Sequence, residues 1–108
     1  MDKIKLPPFE DGGLWLQSLY PEENWRHFRV GTCTGLYRAF NNAYEILAIE
    51  NSKPGNGHVE AVLEWFYKSC RRDNYTFIIR EVWNDNLRNK LIANGFILKE
   101  RYDYIKTF

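Results

Sequence analysis

From His58 onward the apolar positions Val59, Val62, Leu63, Phe66 and Cys70 recur at helical spacing, while Glu60, Glu64 and Lys68 lie four apart on another face. Glu60 near the start and Lys68, Arg71 and Arg72 near the end suit the helix dipole, so the pattern predicts a helix. Ahead of it the period changes. Between Trp25 and Asn51 the chain reads "WRHFRVGTC", "GLYRAF" and "AYEILAIEN", three segments rich in β-formers. Thr34-Gly35 and Asn41-Asn42 separate them as tight turns, which predicts an antiparallel meander. After the helix, "YTFIIREVW" (Tyr75 to Trp83) reads as a strand. Asn84 or Asp85 then caps a shorter helix through Leu87 and Leu91 that stops at Asn94-Gly95, and "FILKERYDYI" from Phe96 reads as a last strand. At the front, Pro7-Pro8 and Gly12-Gly13 predict an extended arm over the first dozen residues, then a short helix from Leu14 to Tyr20 stopped by Pro21. The expected architecture is one α/β domain spanning 1–108, with a mixed, mostly antiparallel sheet flanked by helices.

Composition narrows the function classes. Hydrophobic residues make up 44% and charged residues 27%, as in ordinary folded domains, and the aromatic share of 17% supplies large core residues to a short chain. The formal net charge is +1 with no basic run longer than Arg71-Arg72, so the electrostatic footprint of a nucleic-acid binder is missing. No stretch approaches the roughly 18 to 20 apolar residues that span a bilayer, and "MDKIKLPPFEDGG" lacks the apolar core of a signal peptide. A cytoplasmic protein with no membrane partner is expected. Cys33, Cys70, His27 and His58 form no close ligand pair, so no metal is expected; both cysteines read as small buried hydrophobes, with Cys33 kept as a candidate reactive thiol.

The loop "NSKPGNGH", Asn51 to His58, joins a strand to the long helix. A helix start leaves backbone N–H groups without partners at the positive end of its dipole, and Gly55 and Gly57 let an anion approach that backbone closely. A plain strand-to-helix turn is the alternative. The dinucleotide pattern G-x-G-x-x-G fails at Glu60, and the phosphate loop G-x-x-x-x-G-K is absent.

With this loop in place, the chain from Tyr44 to about Tyr104 resembles the GCN5-related N-acetyltransferase superfamily. Gly55-Asn56-Gly57 falls at that family's G-x-G motif, Asn84 at its Asn after the following strand, and Gly95-Phe96 at its terminal "GF" pair. The resemblance implies acetyl-CoA held between two central strands that splay apart. Ser52, Lys53, Gly55, Asn56, Gly57 and His58 would cradle the pyrophosphate, and the pantetheine arm would run beside "YEILAIE" like another strand. A main-chain N–H near Leu47 to Ile49 would polarise the thioester carbonyl, and Asn84 would approach the cofactor arm. An acceptor amine would attack directly, without a covalent enzyme intermediate.

Two positions depart from the family pattern. Ser52 stands where an Arg or Gln is usual, so Lys53 would have to supply the phosphate contact. Leu91 stands where a Tyr often protonates the departing thiolate, which passes that role to water, Tyr67 or Tyr102. Glu50 is the candidate base; Glu45 has opposite parity on a regular strand, so one of the two meets the substrate unless a bulge intervenes, and His27 is a lesser candidate. The front end is too short for the strand and two helices that usually build the acceptor pocket. The open side suits an amine on a protein or other macromolecule, or completion by a second copy in a homodimer, with Trp15, Trp25, Trp65 and Trp83 as candidate lining. The leading expectation is an acetyl-CoA-dependent N-acyltransferase; the alternative is a catalytically degenerate domain of the same fold that binds a partner protein, with or without CoA.

Overall fold

The computed structural model describes residues 6–108. Its elements are β1 (Glu10–Leu16), a single 3-10 turn (Pro21–Glu23), β2 (Trp25–Val30), β3 (Cys33–Phe40), β4 (Ala43–Asn51), α1 (His58–Asp73), β5 (Thr76–Arg80), α2 (Asp85–Ala93), β6 (Ile97–Glu100) and β7 (Asp103–Lys106). They form one seven-stranded sheet in the order β1-β2-β3-β4-β5-β7-β6. Every neighbouring pair is antiparallel except β4 and β5, which run parallel because α1 carries the chain back between them. The α/β class and the mostly antiparallel sheet follow the expectation.

Three expected elements differ. The segment expected as a helix from Leu14 to Tyr20 begins as the end of β1, paired Leu14 to Arg26 and Leu16 to Trp25. A helix of that length cannot hold itself, whereas a strand gains a ladder along β2. Asp11 pins the ladder, accepting from Arg26 Nε at 2.8 Å and from the Tyr37 hydroxyl at 2.6 Å. The β2–β3 turn falls at Gly31 and Thr32, while Thr34 and Gly35, expected as the turn, lie inside β3 opposite Arg29 and Phe28. The expected last strand is a hairpin, broken at Arg101, where φ is 46°. Of the expected extended arm, residues 1–5 lie outside the described ones.

The Asn41-Asn42 turn forms as expected, both residues taking positive φ (54° and 58°) between β3 and β4. The helix predicted from His58 is α1. Asn84 caps α2, its Oδ1 accepting from the Leu87 amide at 3.0 Å.

Both helices feed a single core on one face of the sheet. Phe66 of α1 sits at its centre, against Phe28, Tyr37, Tyr44 and Phe77 from four successive strands. Leu91 of α2 is fully buried in the same cluster. Phe77 and Ile79 point into this core, so Ile78 and Arg80 face the other way. That second face carries Glu45 between Arg38 and Arg80, with Arg38 lying 4.5 Å over the Trp25 ring. Among the described residues no helix covers it, so the expected flanking by helices holds on one side only. The charges of Glu45, Arg38 and Arg80 on this face pair with one another within the sheet. No helix among the described residues is long and apolar enough to cross a membrane.

Candidate functional site

The parallel register of β4 and β5 runs from Ala43 opposite Thr76 to Leu47 opposite Arg80 and stops there. The next residue of each strand takes positive φ, 57° at Ala48 and 58° at Glu81. β5 ends at Arg80, while β4 runs on to Asn51. On the other side of β4, Leu36 pairs with Leu47 and Thr34 with Glu50, so Ala48 and Ile49 together oppose Gly35 in a bulge. Gly35 permits it: a Cβ there would lie 2.7 Å from the Phe28 ring and 3.3 Å from the Ile49 Cα. The bulge also reverses the parity of the strand. Tyr44, Ile46 and then Ile49 meet the core, which puts Glu45 and Glu50 on the same, opposite face.

A cleft of about 720 Å³ lies between the end of β4, the start of α1, and the β5–α2 connection. Of the expected site residues, Ile49, Glu50, Ser52, Gly55 and Asn84 line it. Leu47 lines a second cavity of about 500 Å³, together with Arg80, Tyr102 and Asp103. The two cavities share Glu81 and Trp83, so they adjoin just after the end of β5. Lys53, Asn56, Gly57 and His58 lie outside the residues that line either cavity.

Those remaining loop residues are held from behind by a closed polar circuit. The Thr32 amide donates to His58 Nδ1 at 3.0 Å, and the Thr32 hydroxyl donates to Asn51 Oδ1 at 2.6 Å. Asn56 Nδ2 donates to the Thr32 hydroxyl at 2.7 Å, while Asn56 Oδ1 accepts from Asn51 Nδ2 at 3.0 Å and from the His58 amide at 3.1 Å. The Ser52 amide donates to the Thr32 carbonyl at 3.2 Å and the Lys53 amide to Asn51 Oδ1 at 3.2 Å. The circuit therefore consumes the amides of Ser52, Lys53 and His58. Gly55, Gly57 and Val59 amides have no acceptor among the described residues. Gly57 takes the N-cap position of α1 at φ 84° and offers no side chain to cap the helix. Unpaired amides at the positive end of a sixteen-residue helix are an arrangement suited to an anion.

Charged side chains around the cleft divide into committed and available ones. Glu60 and Lys90 both line it and pair with each other, and Lys90 holds the Glu60 carboxyl below the usual range. Glu45 is 3% exposed and shared by Arg38 and Arg80, which removes it from any proton chemistry at the cleft. Glu50 is exposed and lines the cleft without a salt-bridge partner among the described residues. Cys33, kept as a candidate thiol, is fully buried; burial, and then the charge of Glu60, push its thiol up to about 11, so it is an inert packing residue at neutral pH.

The candidates for proton donation to a leaving thiolate lie in different places. Leu91 is fully buried in the core. Tyr67 is 8% exposed, packs against Phe77, Phe96 and Phe108, and lines neither cavity. Tyr102 lines the second cavity and stacks on Trp83 at 3.9 Å. His27 is exposed on the open face beside Trp15, at 6.4 Å between ring centroids. Of the four tryptophans, Trp83 alone lines the cavities; Trp65 stacks on Phe9 at 3.8 Å in the core, and Trp15 is 54% exposed. Sequence reasoning overlooked Thr32 and Lys90. Thr32 sits in a turn nineteen residues before Asn51, and Lys90 reaches the cleft only because α2 packs beside α1.

Two features of this arrangement suit an extended ligand ending in a phosphate. Among the described residues, the stretch of β4 beyond Leu47 has no partner strand on its β5 side, and it leads directly to the unpaired amides of the glycine loop. Among protein-family models, curated proteins and solved structures, none matches this chain.

Proposed function

We propose that the chain has the N-acetyltransferase-like fold and binds acetyl-CoA in the cleft between β4 and β5, transferring the acetyl group to an amine by direct attack. The observation that supports this reading is the cleft beside β4 where its parallel pairing with β5 ends at Leu47 and Arg80, with the glycine loop and its unpaired amides closing one end. The Gly55 and Val59 amides, which line the cleft, bind the diphosphate, and Lys90, paired with Glu60, lines it opposite. The unpaired edge of β4 around Ile49 supplies main-chain donors to the pantetheine arm and the thioester carbonyl. Glu50 takes the proton of the attacking amine, and the leaving thiolate receives one from water. The acceptor approaches from the uncovered face, through the second cavity at Trp83 and Tyr102, which suits an amine carried on a macromolecule.

Isothermal titration with acetyl-CoA tests binding, and release of free CoA in the presence of amines and proteins tests turnover. Absence of heat at millimolar acetyl-CoA would end the reading. A second reading, a CoA-binding or partner-binding domain without turnover, is favoured by Leu91, whose buried side chain leaves no phenol at the position where the resemblance expects one. Acetyl-CoA binding without CoA release for any acceptor would select it.

A further inference from the structure

The ring of His58 occupies a place that nothing in the cleft requires of it. Its Nδ1 receives the Thr32 amide hydrogen at 3.0 Å, so this nitrogen carries a lone pair and the ring proton sits on Nε2. The Thr32 hydroxyl and Asn56 Nδ2 approach the same nitrogen at 2.9 and 3.1 Å. The β2–β3 turn is shaped around the ring: Gly31 takes φ 58°, and a Cβ on it would come within 2.5 Å of both Nδ1 and Cε1. Through Thr32 the ring is tied to Asn51, Asn56 and Ser52, the residues that fix where the Gly55 and Gly57 amides point.

A proton added at Nδ1 ends the bond from the Thr32 amide and finds, among the described residues, one acceptor in reach, the Thr32 hydroxyl oxygen at 2.9 Å, which already bonds Asn51 and Asn56. It would face the Thr32 N–H head-on, and the resulting imidazolium would sit in the first turn of α1, at the positive end of its dipole. The charged groups nearby do not compensate. Glu60 on α1 is tied to Lys90 of α2, Arg29 of β2 is turned to Glu10, and Glu50 and Lys53 on β4 and the loop are exposed. None of them bonds to the ring among the described residues.

We propose that neutral His58 is a positioning residue that latches the phosphate-binding loop to the Gly31-Thr32 turn, and that a proton on Nδ1 releases the latch and weakens acyl-CoA binding. The inference rests on reading the cleft as an acyl-CoA site. Its mechanism is the loss of one accepting lone pair, so a side chain with a permanent acceptor at the Nδ1 position should hold the loop at any pH. Asparagine offers its Oδ1 there; glutamine places its acceptor nearer Nε2.

The test is CoA titration by calorimetry at pH 8 and pH 5 on the wild-type chain, His58→Asn and His58→Gln. Wild type should lose affinity by about tenfold more than His58→Asn between the two pH values, the worth of one hydrogen bond that orders the loop. His58→Gln should be weak at both. Titration of the CoA phosphates themselves affects all three proteins alike and cancels in the comparison. Parallel pH dependence of wild type and His58→Asn overturns the proposal. Should wild type bind no CoA even at pH 8, the acyl-CoA reading falls, and with it the coupling to binding; the latch itself is read separately by ¹⁵N NMR. An unprotonated Nδ1 at pH 8, with a Thr32 amide protected from exchange at pH 8 and exposed at pH 5, supports it. A protonated Nδ1 at pH 8, or a Thr32 amide indifferent to pH, overturns it.

Discussion

Arg80 Nη2 donates to Glu45 Oε1 at 2.7 Å, joining the last paired turn of β5 to the middle of β4 just before their pairing ends. Glu45 also accepts from Arg38, and Arg80 reaches Asp103 of β7 at 2.8 Å, so one carboxylate ties four strands together on the uncovered face. Removing the charge by Glu45→Gln leaves Arg38, 17% exposed at its side chain, without a counter-ion. A cost of about 3 kcal/mol is expected, in the range for breaking a buried ion pair from one side. Urea unfolding measures it; a loss below about 1 kcal/mol would mean that water solvates these charges as it does surface pairs.

Glu50 shares the face of Glu45 but no salt bridge among the described residues, and it lines the cleft. With acetyl-CoA bound and an acceptor supplied, Glu50→Gln should lower kcat by about a hundredfold or more and leave the cofactor dissociation constant unchanged, the signature of a lost general base. Unchanged turnover would hand proton removal to water.

Tyr67 carries a buried hydroxyl with no hydrogen-bond partner among the described residues, and burial raises its pKa. Tyr67→Phe removes an unsatisfied polar atom and keeps the ring contacts with Phe77 and Phe96. The substitution should stabilise the fold by about 1 kcal/mol, visible as a higher melting temperature, with CoA release unaffected. A fall in turnover would instead give Tyr67 a part in the chemistry.

Gly35→Ala tests the bulge. The added methyl meets the Phe28 ring at 2.7 Å and the Ile49 backbone behind it. Overpacking of this kind costs about 1–3 kcal/mol, and because Ile49 must yield, acetyl-CoA affinity should fall together with stability. Affinity that survives the stability loss would show that the cleft does not depend on the bulge.

The parts of this fold written locally in the chain were legible before any coordinates. The periodicity of Val59, Val62, Leu63 and Phe66 marks α1, Asn84 caps α2, and Asn41-Asn42 turns β3 into β4. What the chain does not write locally stayed hidden. Ala48 carries no bulge signature of its own; its geometry is imposed by Gly35, thirteen positions earlier, which pairs across the ladder. The Glu45 network joins residues 7 and 35 positions apart, and nothing in the spacing announces it. Leu14 to Tyr20 is apolar at positions compatible with either period, and its pairing with β2 decided for a strand. Within the site, Gly55 and Gly57 drew attention to the loop, whereas Thr32, the hub of its hydrogen bonding, lies in "WRHFRVGTC", a segment that reads as strand.

Asp11 offers a pH test away from the cleft. The hydrogen bond from Arg26, opposed by partial burial and aided by Tyr37 and the Gly13 amide, holds its carboxyl down to about 2. A carboxyl lowered in the folded state stabilises the fold above its unfolded pKa and loses that contribution as pH falls through the folded value, here from about 4 toward 2. The pair is largely solvent-exposed, so screening limits its worth to about 1 kcal/mol or less at pH 7. Asp11→Asn should be less stable than wild type by that amount at neutral pH and indistinguishable from it near pH 2, as followed by thermal melts across the range.

Because both helices lie on one side of the sheet, much of its other side is already wet before unfolding begins. Denaturation then uncovers less new apolar area per residue than in a domain with helices on both sides. The denaturant m-value and the heat-capacity increment should both be small for a chain of this length, giving broad melts and a flat stability curve.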